Sequence, residues 1–362
     1  MINCVYIHIP FCEKKCKYCA FCSFQLLKKK EIYLNTLKKE VKFLYKNEKL
    51  KTLYFGGGTP SLLSADEIGQ IIQYFNINEN TEITLELNPH NISFEKLKQL
   101  KDVGINRLSL GVQSFDDNIL SEIGRTHNSN EIFQTLEHAR HAGFKNCTID
   151  LMYGLPNQNL AQWSKTLDIA LNLDIEHISL YGLKIEEGTY YSKFLPKNLP
   201  TQDEQAQMYE LAIEKLSKKF IHYEFSNFAK SEDYYSKHNL SYWQCKNYYG
   251  FGLSASGHIG NKRYTNTYNF NEYIKNPIQK EYEILSIQNQ IEEEIFLGLR
   301  MLSGIDFENI NKKFNIDVFK KYEKIFEKHL KSGFMQKTHK GVKLSNKGIL
   351  ISNEILCDFL EV

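Results

Sequence analysis

The chain has 362 residues, enough for one large domain plus a small one. Its 42% hydrophobic and 13% aromatic content can fill a sizeable core, which excludes a disordered chain. Lys and Arg (45) nearly balance Asp and Glu (43), so a net charge of +2 supplies no global field to attract nucleic acid or an anionic membrane. The apolar runs are too short for a membrane span. The N-terminal MINCVYIHIPFCEKKCKYC lacks the basic leader and long apolar core of a secretion signal, so a cytoplasmic protein is expected.

In chain order, short β-branched or aromatic runs predict strands at Val5–Ile9, Thr52–Phe55, Glu82–Leu87, Arg107–Gly111, Cys147–Met152 and His177–Tyr181. Amphipathic stretches at 29–46, 64–76, 93–103, 129–142 and 159–172 predict helices between them. Ser64 with Glu67 forms a capping-box signature, and Gly104 and Gly143 stand where helix C-caps are needed. Six βα units in sequence predict an α/β fold, and six strands fall short of the eight of a closed barrel. The expectation is an open, partial (β/α)6 TIM-like barrel whose gap admits a bulky substrate. A further helix is expected over 202–219, and 222–260 reads as an ordered loop with short strands. From about Ile291, EEEIFLGLRM and VFKKYEKIFEKHLKSG read as helices and FMQKTHKGVKLSNKG as a hairpin, which predicts a small C-terminal winged-helix-like domain. The expected division is 1–200 for the barrel core, 201–285 for an extension that closes it, and 286–362 for the C-terminal domain.

Four of the eight cysteines (Cys12, Cys16, Cys19 and Cys22) lie within eleven residues, and Cys4, Cys147, Cys245 and Cys357 are scattered. A secreted disulfide framework spreads its cysteines through a smaller chain, so the cluster reads as metal or iron–sulfur ligation. Cys12-x3-Cys16-x2-Cys19 directly follows the first predicted strand. Iron–sulfur clusters normally take four thiolates, so three leave one iron open, the mark of a reactive site. A structural zinc loop with Cys22 as fourth ligand is the alternative reading.

YIHIPFCEKKCKYC, YFGGGTPSLL, LELNP, GINRLSLGVQSF, GRTH, DLMYGLP and HNLSYW follow one another along nearly the whole chain. In that order they resemble the oxygen-independent coproporphyrinogen III oxidase family of radical S-adenosylmethionine (SAM) proteins, and within it the HemW-type heme chaperones. Phe21 stands where the oxidases carry a fourth Cys, the long N-terminal extension of the oxidases is expected to be absent, and His238-Asn239-Leu240-Ser241-Tyr242-Trp243 fits the HNxxYW motif of the heme-binding branch.

The resemblance implies a radical SAM barrel with a [4Fe–4S] cluster on Cys12, Cys16 and Cys19. SAM occupies the open iron in such proteins, and an electron from the cluster cleaves its C–S bond to give a 5′-deoxyadenosyl radical. It further implies SAM contacts from Tyr6, Tyr18, Gly56, Gly57, Gly58, Thr59, Pro60 and Glu86. Gln113, Arg125 and Asp150 match polar contacts that in the oxidases belong to a second SAM. Heme is implied as a third ligand, with His238 as axial ligand candidate; the other reading makes the motif a hydrogen-bonded lining of the barrel mouth. Tyr242 and Trp243 could pack on a porphyrin, Cys245, His127 and His258 are further candidates, and Cys22 has no assigned role. Implied partners are heme-acceptor respiratory proteins, an electron donor such as a flavodoxin or ferredoxin, and a membrane surface in transient association. Heme transfer is the implied function, with oxidative decarboxylation of coproporphyrinogen III as the alternative. Lys337, Lys340, Lys343 and Lys347 on the C-terminal hairpin read as a solvated face, so nucleic acid is not an expected partner.

Overall fold

Apolar and polar residues alternate along the six predicted strands, and that period of two sets which face of the sheet meets the helices. The computed structural model describes residues 2–360; the outermost limits of the expected division, residues 1 and 361–362, lie outside the described residues. The strands are β1 (Cys4–Ile9), β2 (Thr52–Gly57), β3 (Glu82–Leu87), β4 (Arg107–Gln113), β5 (Cys147–Tyr153) and β6 (His177–Gly182). Each pairs in parallel with the next. Ile7, Phe55, Leu85, Leu110, Ile149 and Ile178 are fully buried in one core beneath the surrounding helices. Burying a side chain of this size contributes about 1.5–3 kcal/mol. The alternate set, from Tyr6 through Glu86 to Asp150, is polar and faces the barrel interior.

The helices begin where the sequence says they should. Ser64 and Glu67 form the predicted capping box at Ala65–Ile72, and Asn128 with Glu131 repeats it at Ser129–His141. Gly104 (φ +106°) and Gly143 (φ +86°) both take the left-handed conformation that ends a helix.

Three further strands extend the sheet: β7 (Ile221–Glu224), β8 (Asn227–Ala229) and β9 (Tyr249–Phe251). The order is β7-β8-β6-β5-β4-β3-β2-β1-β9, with β7 and β9 as its edges, so the barrel stays open. The HNLSYW segment, expected within a loop, is the helix Lys237–Trp243, capped by Ser236. Its His, Asn, Ser and aromatic residues have modest helix propensity, and tertiary burial overrides it. β10 (Ser256–Ile259), β11 (Lys262–Asn266) and β12 (Lys280–Ile284) form a second, antiparallel sheet. The fully buried carboxylate of Glu40 ties this sheet to the barrel: it accepts from the Gly252 N–H (2.9 Å), Asn266 Nδ2 (2.9 Å) and Tyr273 hydroxyl (2.6 Å), and pairs with Lys280.

The C-terminal region builds a separate core on Ile295, Val318, Phe326, Ile355 and Phe359. Its small sheet joins β13 (Ile305–Asp306) to the hairpin of β14 (Met335–Lys337) and β15 (Gly341–Leu344), the wing expected from the sequence. Where one long helix was read over VFKKYEKIFEKHLKSG there are two, Val318–Lys321 and Glu323–Lys331. No helix among the described residues is long and apolar enough to cross a membrane.

Candidate functional site

Five adjacent strands open toward the interior at one residue each. Tyr6 in β1, Tyr54 in β2, Glu86 in β3, Gly111 in β4 and Asp150 in β5 are half-buried among buried strand neighbours. A residue that reaches solvent from inside a parallel barrel lines a cavity, and barrel enzymes collect their chemistry at the C-terminal ends of such strands.

β1 runs directly into the cysteine loop, which is anchored at both ends. The Phe24 N–H donates to the Pro10 carbonyl (2.7 Å), and the Cys12 N–H to that of Phe24 (3.0 Å). Cys12 is buried, and Cys16 and Cys19 are half-buried. Burial raises the Cys19 thiol above its ordinary range; a backbone hydrogen bond with Phe21 opposes this, and the charges of Cys16 and Cys12 add to it. The three sulfurs thus share one electrostatic neighbourhood. The Thr59 hydroxyl donates to Cys12 Sγ and Arg125 Nη1 to Cys16 Sγ, each at 3.6 Å. Cys22 turns away, hydrogen bonding through its side chain to Ser254 and through its carbonyl to His8 Nε2 (2.8 Å). Among the described residues no three His, Cys, Asp or Glu side chains converge to hold a single metal ion.

Beside this loop lies the glycine edge. Gly57 has φ +109°, and its N–H donates to Glu86 Oε2 (3.1 Å). A Cβ on Gly56 would meet the Tyr54 and Tyr6 rings at 2.9 Å and Glu86 at 3.0 Å, so glycine keeps this edge bare. Tyr54 donates to Glu86 Oε1 (2.8 Å). Burial pushes Glu86 up to about 7, assisted by the charge of Asp150 and opposed by Tyr54, Gly57 and Arg107. The Thr59 N–H donates to the Phe11 carbonyl (2.7 Å), and Pro60 opens a buried helical turn.

Gln113, Arg125 and Asp150 stand on the adjoining wall. Gln113 takes a left-handed φ of +68° at a bulge where β4 shifts register against β5, which re-aims its side chain. Arg125 donates to Asn88 Oδ1 (3.2 Å) and the Gly111 carbonyl. Tyr18 sits beside Arg125 and hydrogen bonds to Cys16. Asp150 accepts from Ser109 Oγ (3.2 Å) and from Ser179. The structure therefore gathers the cysteines, the glycine edge, Tyr6, Tyr18, Glu86, Gln113, Arg125 and Asp150 within and at the C-terminal ends of β1–β5.

His238 lies at the opposite end of the strands. Its Nδ1 is 2.8 Å from the Thr52 hydroxyl and its Nε2 2.8 Å from that of Tyr242. Its backbone N–H donates to Glu82 (3.2 Å), and its ring stacks on Tyr54. Burial, with the nearby Arg107 charge, holds it down to about 3, so it is neutral. Both ring nitrogens are engaged by hydroxyl groups in this structure.

Sequence reasoning missed Arg107 and His8. Arg107 is a buried cation that donates to Thr148 Oγ1 (2.6 Å) and whose charge acts on Glu86 and Asp150. His8 links Tyr6 (3.1 Å) to the Cys22 carbonyl and packs beneath Gly57. The available signal was their polar identity at inward positions of otherwise apolar strands.

The Radical SAM superfamily profile matches residues 6–170, and the HemN C-terminal domain profile matches residues 285–351. Heme chaperone HemW of Bacillus subtilis (strain 168) is 38% identical, covering 98% of this chain and 98% of its own. Heme chaperone HemW of Lactococcus lactis subsp. lactis (strain IL1403) is 36% identical over 99% and 97%. A bovine relative, radical S-adenosyl methionine domain-containing protein 1, mitochondrial, is 31% identical over 98% and 87%. Among solved structures, coproporphyrinogen III oxidase (HemN) from Escherichia coli, a radical SAM enzyme, superposes with a TM-score of 0.87 at 24% identity, covering 99% of this chain and 90% of that one. That last likeness shows a shared fold. Identity of this extent along the whole chain, together with a three-cysteine loop at the end of the first barrel strand, makes the chain a member of the heme chaperone HemW family within the radical SAM superfamily.

Proposed function

We propose that the protein is a heme chaperone that carries a [4Fe–4S] cluster on Cys12, Cys16 and Cys19 and binds SAM beside it. The observation that carries this reading is the three-cysteine loop at the end of β1, with Thr59 bonded to Cys12 and Arg125 to Cys16, beside the bare edge of Gly56 and Gly57. The donor chemistry fits the cluster: three thiols share one neighbourhood, while Cys22 is committed to Ser254. When bound, the cluster and SAM supply one-electron chemistry. The chain's own residues position the ligands. Glu86 offers a carboxylate suited to ribose hydroxyls, Gly56 and Gly57 let the backbone approach the methionine end of SAM, and Tyr6 and Tyr18 flank it. Gln113, Arg125 and Asp150 supply polar contacts on the far wall.

Heme is the cargo, delivered to respiratory acceptor proteins, with a flavodoxin or ferredoxin as electron donor. The named relatives support this part of the reading. Residues 2–200 form the cofactor barrel, 201–285 extend its sheet, and 286–360 form the C-terminal domain. A cytoplasmic location with transient membrane contact accords with the lack of a membrane-spanning helix among the described residues.

The test is anaerobic reconstitution with iron, sulfide, SAM and reductant, followed by heme titration and, in parallel, assay of carbon dioxide from coproporphyrinogen III. Heme binding without decarboxylation is expected. Stoichiometric carbon dioxide release would make the protein an oxidase and overturn the chaperone reading while leaving the cluster in place.

A further inference from the structure

A second cavity, of about 690 Å³, lies between the barrel edge and the C-terminal region. Its size falls within the range of about 300–1,000 Å³ typical of small-molecule sites. Tyr153 and Phe225 line one side and Ile349, Leu350 and Ile351 the other, with Arg300 between them. Tyr181 also lines it, and that side chain feels the charge of Asp150, so the cleft adjoins the cofactor cavity.

Arg300 is held firmly, and its Nε is buried without an acceptor. The Phe225 N–H donates to its carbonyl (3.1 Å), which fixes its backbone to the β7–β8 turn. Its guanidinium lies over the Trp243 ring at 4.6 Å and the Phe225 ring at 5.1 Å. Neighbouring Glu224 feels the Arg300 charge but makes no direct ion pair with it: it accepts from Asn227, its Oε2 has no partner, and burial pushes it up to about 7 against that charge. A guanidinium that faces an open cleft over two aromatic rings presents a positive fork to that cleft, and the planar fork suits a carboxylate. Trp243 closes the HNLSYW motif, so the motif reaches this cleft through the ring that supports Arg300.

We propose that Arg300, supported by Trp243, is the anchor for a propionate carboxylate of the porphyrin, with the macrocycle lying in this cleft against Tyr153 and Phe225. The inference rests on the heme-binding reading above and adds where and by which charge the porphyrin is held.

The test titrates hemin and hemin dimethyl ester, which lacks the carboxylates, into the reconstituted wild type, Arg300→Gln and Arg300→Lys. The wild type is expected to bind hemin at least about tenfold more tightly than the ester. Arg300→Gln is expected to lose that preference by weakening hemin alone, and Arg300→Lys to fall between. Equal wild-type affinity for acid and ester overturns the anchor even if neither variant folds. So does unchanged hemin affinity in Arg300→Gln, or equal weakening of both ligands. A wild type that binds neither porphyrin overturns the heme reading itself, a result distinct from these.

Discussion

His238 stacks on Tyr54 with ring centroids 4.9 Å apart, while the Tyr54 hydroxyl reaches up to Glu86 at 2.8 Å. The motif helix at one end of the barrel is thereby connected to the carboxylate at the other through a single side chain. Truncating His238 would leave the Thr52 and Tyr242 hydroxyls unpaired and open a cavity beneath Tyr54.

His238→Ala is therefore expected to lower unfolding stability by about 2–4 kcal/mol. The heme absorption spectrum of the surviving folded protein is expected to be unchanged. Chemical denaturation and a hemin titration check this together. A shifted heme spectrum at unchanged stability would assign His238 as a ligand.

The cysteine loop gives a selective expectation. Cys12→Ala, Cys16→Ala and Cys19→Ala should each abolish the cluster absorption and most of the bound iron after reconstitution. Cys22→Ser should retain both, because Cys22 is directed at Ser254. Iron and sulfide analysis of the four variants decides it, and loss of the cluster in Cys22→Ser would assign that residue to the metal.

Gly56→Ala should weaken SAM binding by at least about tenfold while the iron content is kept, because the added methyl meets Tyr6, Tyr54 and Glu86 at about 3 Å rather than the cysteine loop. Equilibrium dialysis against labelled SAM measures the effect. Undiminished binding would move the SAM site away from this edge.

Glu224 makes stability depend on pH. Its folded value of about 7 lies above the ordinary 4.5 because of burial, so the fold favours the protonated carboxyl. Its contribution is complete below about 4.5, falls as pH rises toward 7, and is level above that; the total is of order 3 kcal/mol. Glu224→Gln should flatten this decline and unfold at higher denaturant than wild type at neutral pH. Denaturation midpoints across that range provide the check, and parallel profiles for the two proteins would remove Glu224 as the cause.

The sequence by itself determined the six parallel strands, their helices and the cysteine loop, because those depend on local signals. Alternation of Ile7, Phe55 and Leu85 with Tyr6, Tyr54 and Glu86 sets both the strand and its inward face, and Ser64 with Glu67 starts a helix wherever the chain lies. Tertiary structure alone decided the rest. β9 is three residues long and joins the sheet only because β1 lies beside it, and HNLSYW is helical because Ser236 and Glu82 hold its start. The partners of His238 are Thr52, 186 residues away, and Tyr242 on its own helix, so no local pattern could show whether a ring nitrogen is free. Arg300 likewise reads as an ordinary helix-end arginine until folding brings Trp243 and Phe225 beneath it. Burial and long-range contact, which a linear chain does not display, separate a solvated charge from a binding group.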